Sequence, residues 1–466
     1  MCLSYRGRLG VVLLLLPFLG QLSATGQELA PFQGSPSCGS ASCHNQNLGH
    51  GVPRSEYSTW ANFDPHHQAF EVLFNERSNR IVKNLYGAPA GSAASAQACL
   101  NCHATNPAGK GTGPGFLVSE GVGCESCHGG SGKYLGRHFT SSFLALAPAE
   151  REKQFGFLDT KSLSGRARVC SDCHVGNAAK GMEVTHDLIV AGHPRLNFDF
   201  AANLAKYPAH WPIEKDLARY PDLQARAWAI GQVEGSRAIL NLLQARAQHA
   251  DASPKNPWPE FSEFNCFACH KDLAPESRKF RLGFGGRHPG SLPWSPWFNG
   301  PALKIASGDS QLEQALNKVR KEMETPSPSI RNTLAAIEAA LIRAETSSLA
   351  LEKGGVWTSA RMAQKTNELM QMASSRPSAN WDDMAQAWLG LAALHNSLND
   401  RDPAFGSSGF TKELRLLREN LKSSFPKGFD SPRQFEENYL DRPGTLKNLT
   451  ARFEALKRSF SAERRP

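Results

Sequence analysis

Cys99-Leu-Asn-Cys102-His103, Cys124-Glu-Ser-Cys127-His128, Cys170-Ser-Asp-Cys173-His174 and Cys266-Phe-Ala-Cys269-His270 decide how this chain is read. A wider version precedes them, Cys38-Gly-Ser-Ala-Ser-Cys43-His44. Two residues between the cysteines put both sulfurs where a macrocycle with two vinyl groups takes a thioether at each. The next residue then presents an imidazole to the iron. The longer spacer of the first motif lengthens its loop without moving the second cysteine relative to the histidine. Zinc ribbons also use Cys-x-x-Cys, but need two pairs per metal and no histidine at a set place. Thioredoxin-like redox pairs occur singly, near a βαβ pattern. Here a histidine follows every pair, although the chain holds only 15 histidines in 466 residues. The expectation is five covalent c-type haems, with thioethers at Cys38, Cys43, Cys99, Cys102, Cys124, Cys127, Cys170, Cys173, Cys266 and Cys269. His44, His103, His128, His174 and His270 are the expected proximal ligands.

The other ten histidines are candidates for the sixth position. His66 follows Asp64-Pro65, a capping residue and a first-turn proline, so it starts a helix. His138 lies beyond a Gly-Gly-Ser-Gly turn that lets the chain fold back over a haem. His186 and His193 flank Asp187-Leu-Ile-Val-Ala-Gly192, just after a haem motif. These four are the expected distal ligands. His50, His67, His210, His249 and His288 are weaker candidates, and His395, on an apolar stripe with Met384, Trp388 and Leu391, reads as a core histidine. Five proximal and four distal ligands leave one iron open or weakly ligated.

The motifs span residues 38–270, about 47 residues per haem, too few to bury each macrocycle in its own domain. The fold expectation is mainly α. Short helices and long loops wrap stacked haems over residues 27–275, a Gly/Pro/Trp-rich linker covers 276–304, and an all-α bundle covers 305–466. No cysteine occurs after residue 301, and Ile330, Leu334, Ile337 and Leu341 recur at helical spacing. Further helices are expected near 310–324, 356–374, 410–423 and 431–459. Docking, oligomerisation and haem shielding are equally open roles for this bundle.

Composition bounds the class. The chain is 40% hydrophobic and 20% charged, with mean hydropathy −0.40, which excludes a polytopic membrane protein and a disordered chain. Arg6 and Arg8 precede an apolar run from Leu9 to Leu19, then small residues, so residues 1–26 read as a cleavable export signal that carries Cys2 away. Export implies a periplasmic location. The formal charge of +9 falls to about +7 without that signal, and ten ionised propionates would bring it to about −3. The basic residues therefore counter the cofactors, and nucleic acid is not an expected partner.

Residues from about 34 to 275 resemble the multihaem cytochromes of the cytochrome c-554 family. The resemblance rests on Gly34-Ser-Pro-Ser-Cys38, Asp64-Pro-His66 and Glu120-Gly-Val-Gly-Cys124-Glu-Ser-Cys127-His128-Gly129. It rests most on His186-Asp-Leu-Ile-Val-Ala-Gly-His193-Pro-Arg-Leu196 and Trp258-Pro-Glu-Phe261. It implies stacked, mainly bis-histidine haems and electron transfer in bacterial nitrogen or related respiration. In the type member one haem is five-coordinate, as in the ligand count above. That member is a shorter tetrahaem protein, so partner and substrate do not transfer to this chain.

The expected function is an electron relay between periplasmic or membrane-bound redox partners. The alternative is a reductase or oxidase of a small nitrogen or sulfur species at the open iron. The Cys-x-x-Cys-Lys motif of pentahaem nitrite reductases is absent. A third reading makes the protein a haem subunit docked to a larger complex, or to itself, through the C-terminal helices.

Overall fold

The computed structural model describes residues 31–46, 48–253, 255–269, 287–295, 297–374, 381–401, 409–422 and 445–463. The expected signal segment and His270 lie outside the described residues. The expectation of a mainly α fold holds: among the described residues there are helices and turns, with isolated bridges at Phe32–Thr112, Asn177–Met182 and Phe264–Trp294.

As far as residue 219 the helices are short and separated by loops, among them Glu56–Phe63, Glu76–Tyr86, Gln97–His103, Cys124–His128 and His186–Ala191. Few apolar side chains are buried here. One small cluster joins Leu73, Val82 and Ala93.

One long helix, Leu223–Asp251, breaks this pattern. It is apolar around most of its circumference, with Trp228, Ile230, Val233, Leu240 and Leu243 fully buried. A helix apolar on every side has to be surrounded. It packs on Leu163–His174 and Phe200–Leu204 from the motif region, and on Pro301–Ser307, Ile330–Lys353 and Trp381–Arg401 from the C-terminal region. Gly390 allows one of these approaches: a methyl group there would meet Trp228 and Leu369 at 2.7 Å. One apolar core therefore runs from Leu163 to Phe460.

The expected C-terminal helices are present as Ser310–Met323, Ile330–Lys353, Ser359–Ser374, Trp381–Arg401, Gly409–Lys422 and Thr445–Glu463. Residues 431–444 of the last expected helix lie outside the described residues. Asp309 and Ser329 cap two of these helices by accepting backbone N–H bonds in the first turn. The helix Pro301–Ser307 crosses the expected boundary at 304/305. In the expected linker, Trp294 and Trp297 are buried rather than loosely packed. Trp297 donates to the Phe198 carbonyl (2.9 Å) and stacks on Trp381 at 5.8 Å. Packing is continuous across the boundary.

Buried polar groups tie the two regions together. Arg226 pairs through two hydrogen bonds with Asp222 and donates to the carbonyls of Leu351, Gly354 and Gly355. Asp222 also accepts from the Trp357 N–H at 2.8 Å. Both members of the pair are almost wholly excluded from solvent, so losing one leaves an uncompensated buried charge. Arg226→Met is expected to cost about 3–5 kcal/mol in denaturant unfolding of the holoprotein. An unchanged midpoint would mean that water reaches Asp222.

Candidate haem-binding sites

Local structure puts each Cys-x-x-Cys pair on one helical turn. Cys99 and Cys102 lie in Gln97–His103, and Cys170 and Cys173 end Leu163–His174. Cys124–His128 is itself one turn, and Cys266–Cys269 another. Residues three apart on a helix share a face, which sets both sulfurs toward one macrocycle edge. Cys38 and Cys43 sit in turns instead, as their wider spacing demands. All ten cysteines are free thiols in the structure.

Two imidazoles bonded at about 2 Å to opposite faces of one iron stand with ring centroids about 6 Å apart. Three histidine pairs have this spacing: His44 and His138 at 6.0 Å, His66 and His174 at 6.0 Å, and His128 and His210 at 6.3 Å. A fourth pair lines one cavity: His103 and His193 face it with Cys99, Cys102, Ile81 and Leu188. An apolar cleft with two thiols and two imidazoles is the donor set that a covalent haem needs, so the residues fit the group. His186 lies by the last motif. Its N–H donates to Glu260 (2.7 Å) and its ring meets Phe261 at 5.8 Å.

The pairing brings together histidines that the sequence ranked differently. His210, a weak candidate on sequence, faces His128 at 6.3 Å. His138 reaches the first motif and not its neighbour His128. His66 reaches the fourth, 108 residues away. The weak candidates take ordinary places. His395 binds Thr411 Oγ1 at 2.8 Å beside Phe410, a core histidine as expected. His50 rests on Phe63, His67 packs against Trp60, and His288 donates to the Pro289 carbonyl.

Hydrogen bonds at Nδ1 leave Nε2 for iron. His103 donates to the Ala69 carbonyl (3.0 Å), His138 to the Leu135 carbonyl (3.0 Å) and His193 to the Pro194 carbonyl (2.8 Å). His44 donates to Glu56 (3.1 Å) and His66 to Asp64 (2.8 Å). Burial, followed by the neighbouring histidines, pushes His128 down to about 4, and burial does the same to His174. Burial also lowers His193 and His210. These rings are neutral near pH 7, the state in which imidazole binds metal. The hydrogen bond to Glu56 raises His44 instead. Burial acts to raise Asp64, yet hydrogen bonds from His66 and Tyr207 hold it below the usual carboxylate range.

Neighbouring motifs touch. The Cys38 and Cys124 thiols interact, as do those of Cys102 and Cys173. Glu125 staples the first of these contacts. Its carboxylate is buried between Cys124 and Cys127 and accepts the backbone N–H groups of Gln33, Gly34 and Ser131 at 2.7–3.1 Å. Gly34 is required there: its φ is +84°, and a Cβ would stand 2.2 Å from the Gly115 carbonyl oxygen.

Residues 38–129, which carry three of the motifs and His66, match the family described as Cytochrome c554 and c-prime. Over this segment the chain is similar to the cytochrome c554 family. It is a c-type cytochrome of electron transfer, with covalently bound haem c. No curated protein and no solved structure matches the chain. Among the described residues, no helix is long and apolar enough to cross a membrane.

His210 was missed because its only local signal is the aromatic and proline setting Tyr207-Pro-Ala-His210-Trp211-Pro, and its partner is 82 residues away. Replacing it tests the assignment. In His210→Ala one low-spin ferric haem is expected to become high-spin in low-temperature EPR, while His395→Ala leaves the haem spectrum unchanged. A silent His210→Ala would return it to the surface histidines.

Proposed function

We propose that this protein is a periplasmic pentahaem electron relay. It passes single electrons between a donor and an acceptor protein without transforming a substrate. The observation that carries the reading is the His128–His210 pair at 6.3 Å. With it, every motif histidine among the described residues has a second histidine facing it or sharing its cavity. His186 is the candidate partner for His270. An iron with an imidazole on each face has no vacant position for nitric oxide, hydroxylamine or nitrite. Its remaining chemistry is a change of one electron.

The thiol contacts support a continuous path. Motif one meets motif three through Cys38 and Cys124, and motif four meets motif two through Cys173 and Cys102. Cys127 lies near Cys170, which brings motif three beside motif four. Arg195, two residues after His193, hydrogen-bonds Cys266 of the fifth motif and so links it to the second. Protein-mediated docking of a donor and an acceptor at different haems suits such a series. Dimerisation or complex formation through the C-terminal helices is compatible with it and is read from the oligomeric state.

Haem quantitation on the purified holoprotein is expected to give five haems per chain. EPR of the oxidised protein should show five low-spin centres and no stoichiometric high-spin signal. Reductive titration should take up five electrons. A high-spin signal near one haem in five, with turnover of nitrite, hydroxylamine or nitric oxide, would overturn the relay and favour the reductase.

A further inference from the structure

The groups that hold the ligand histidines differ in kind. Backbone carbonyls take the Nδ1 protons of His103, His138 and His193, whereas carboxylates take those of His44 and His66. The two carboxylates also differ. The Glu56 side chain is 28% exposed, so water screens it, while the Asp64 side chain is 1% exposed. The second oxygen of Asp64 accepts a 2.5 Å hydrogen bond from the Tyr207 hydroxyl. The Tyr207 ring lies 5.9 Å from the His66 ring and 6.1 Å from that of His210, and Trp211 stacks on it at 5.7 Å. Tyr207, Asp64 and His66 thus form one hydrogen-bonded chain with the buried Asp64 at its centre, and its end at His66 faces His174.

A carboxylate that pulls on Nδ1–H makes the other ring nitrogen a stronger electron donor. A stronger axial donor favours ferric over ferrous iron and lowers the potential. The low dielectric of a buried site magnifies the effect. A phenol bonded to the same carboxylate opposes it, because a charge-assisted hydrogen bond draws negative charge toward the donor.

We propose that Asp64 and Tyr207 are positioning residues that tune the haem of the fourth motif in opposite senses, Asp64 lowering its potential through His66 and Tyr207 partly restoring it. The proposal rests on His66 and His174 being an axial pair, and it deepens the relay reading. The tuned haem would lie inside the series, between the third and second motifs. Asp64 would then place an uphill step in the middle of the path, and Tyr207 would limit its height.

The test is a potentiometric titration of the holoprotein followed by visible absorption and EPR, in wild type, Asp64→Asn, Tyr207→Phe and the double variant. In Asp64→Asn one midpoint is expected to rise, the other four to stay, and a single low-spin EPR signal to shift its g values. In Tyr207→Phe the same midpoint is expected to fall. The double variant should match Asp64→Asn, because the phenol acts only through the carboxylate. Two unmoved midpoints, or shifts of the same sign, would overturn the proposal, since a purely structural role has no reason to give opposite signs. Where Asp64→Asn loses its axial ligand, seen as a high-spin signal, Tyr207→Phe decides alone by the sign of its shift. The relay reading fails on a different observation, substrate turnover or a high-spin haem in the wild-type protein.

Discussion

An iron that takes an imidazole on each face needs two rings about 6 Å apart, and the rest of the motif region answers to that distance. A Cys-x-x-Cys-His turn delivers one ring and the thioether sulfurs from a single segment. It cannot deliver the second ring, because a chain leaving the turn is already on the same side of the macrocycle. The opposing histidine must come from elsewhere. His66 crosses to His174, His138 to His44 and His210 to His128. These crossings interlock the short helices and loops, and they do in this region what an apolar core does elsewhere.

The C-terminal helices bear on the same geometry. Trp381 stacks on Trp297, Trp297 holds the Phe198 carbonyl, and the Phe198 ring stacks on His174 at 4.9 Å. Arg195, two residues beyond His193, is paired with the buried Asp382 at 3.1 Å. The central helix carries the core from one region to the other without a break. A haem cluster wrapped in short segments has little stiffness of its own, and a packed bundle against one flank supplies it. Shielding and stiffening are therefore physical roles that the contacts themselves support.

Charge follows the same economy. The buried carboxylates are almost all engaged: Glu125 by three backbone N–H groups, Asp222 by Arg226 and Asp64 by His66 and Tyr207. Glu125 holds the segment before the first motif against the third, so one side chain inside a Cys-x-x-Cys spacer helps to set the distance between two sites.

The sequence by itself determined the chemistry. Sulfur spacing and a following histidine are local properties of five residues, so the candidate thioether cysteines, the candidate proximal histidines and the c-type cofactor could be named without a fold. The mainly α class was legible too, since Ile330, Leu334, Ile337 and Leu341 repeat at 3.6 residues per turn. Two features were not. The helix Leu223–Asp251 is buried along most of its length, with Gln224, Arg237, Asn241, Gln244 and Gln248 on its more exposed side, and its role in joining the two regions depends on neighbours far away in the chain. The distal pairing was the other. A histidine's value as a second ligand depends only on which ring it faces, and His210, Tyr207 and Asp64 share no spacing rule with His128 or His174. Only the tertiary structure shows which histidine rings face one another, because that is a contact between distant segments and carries no imprint in either segment alone.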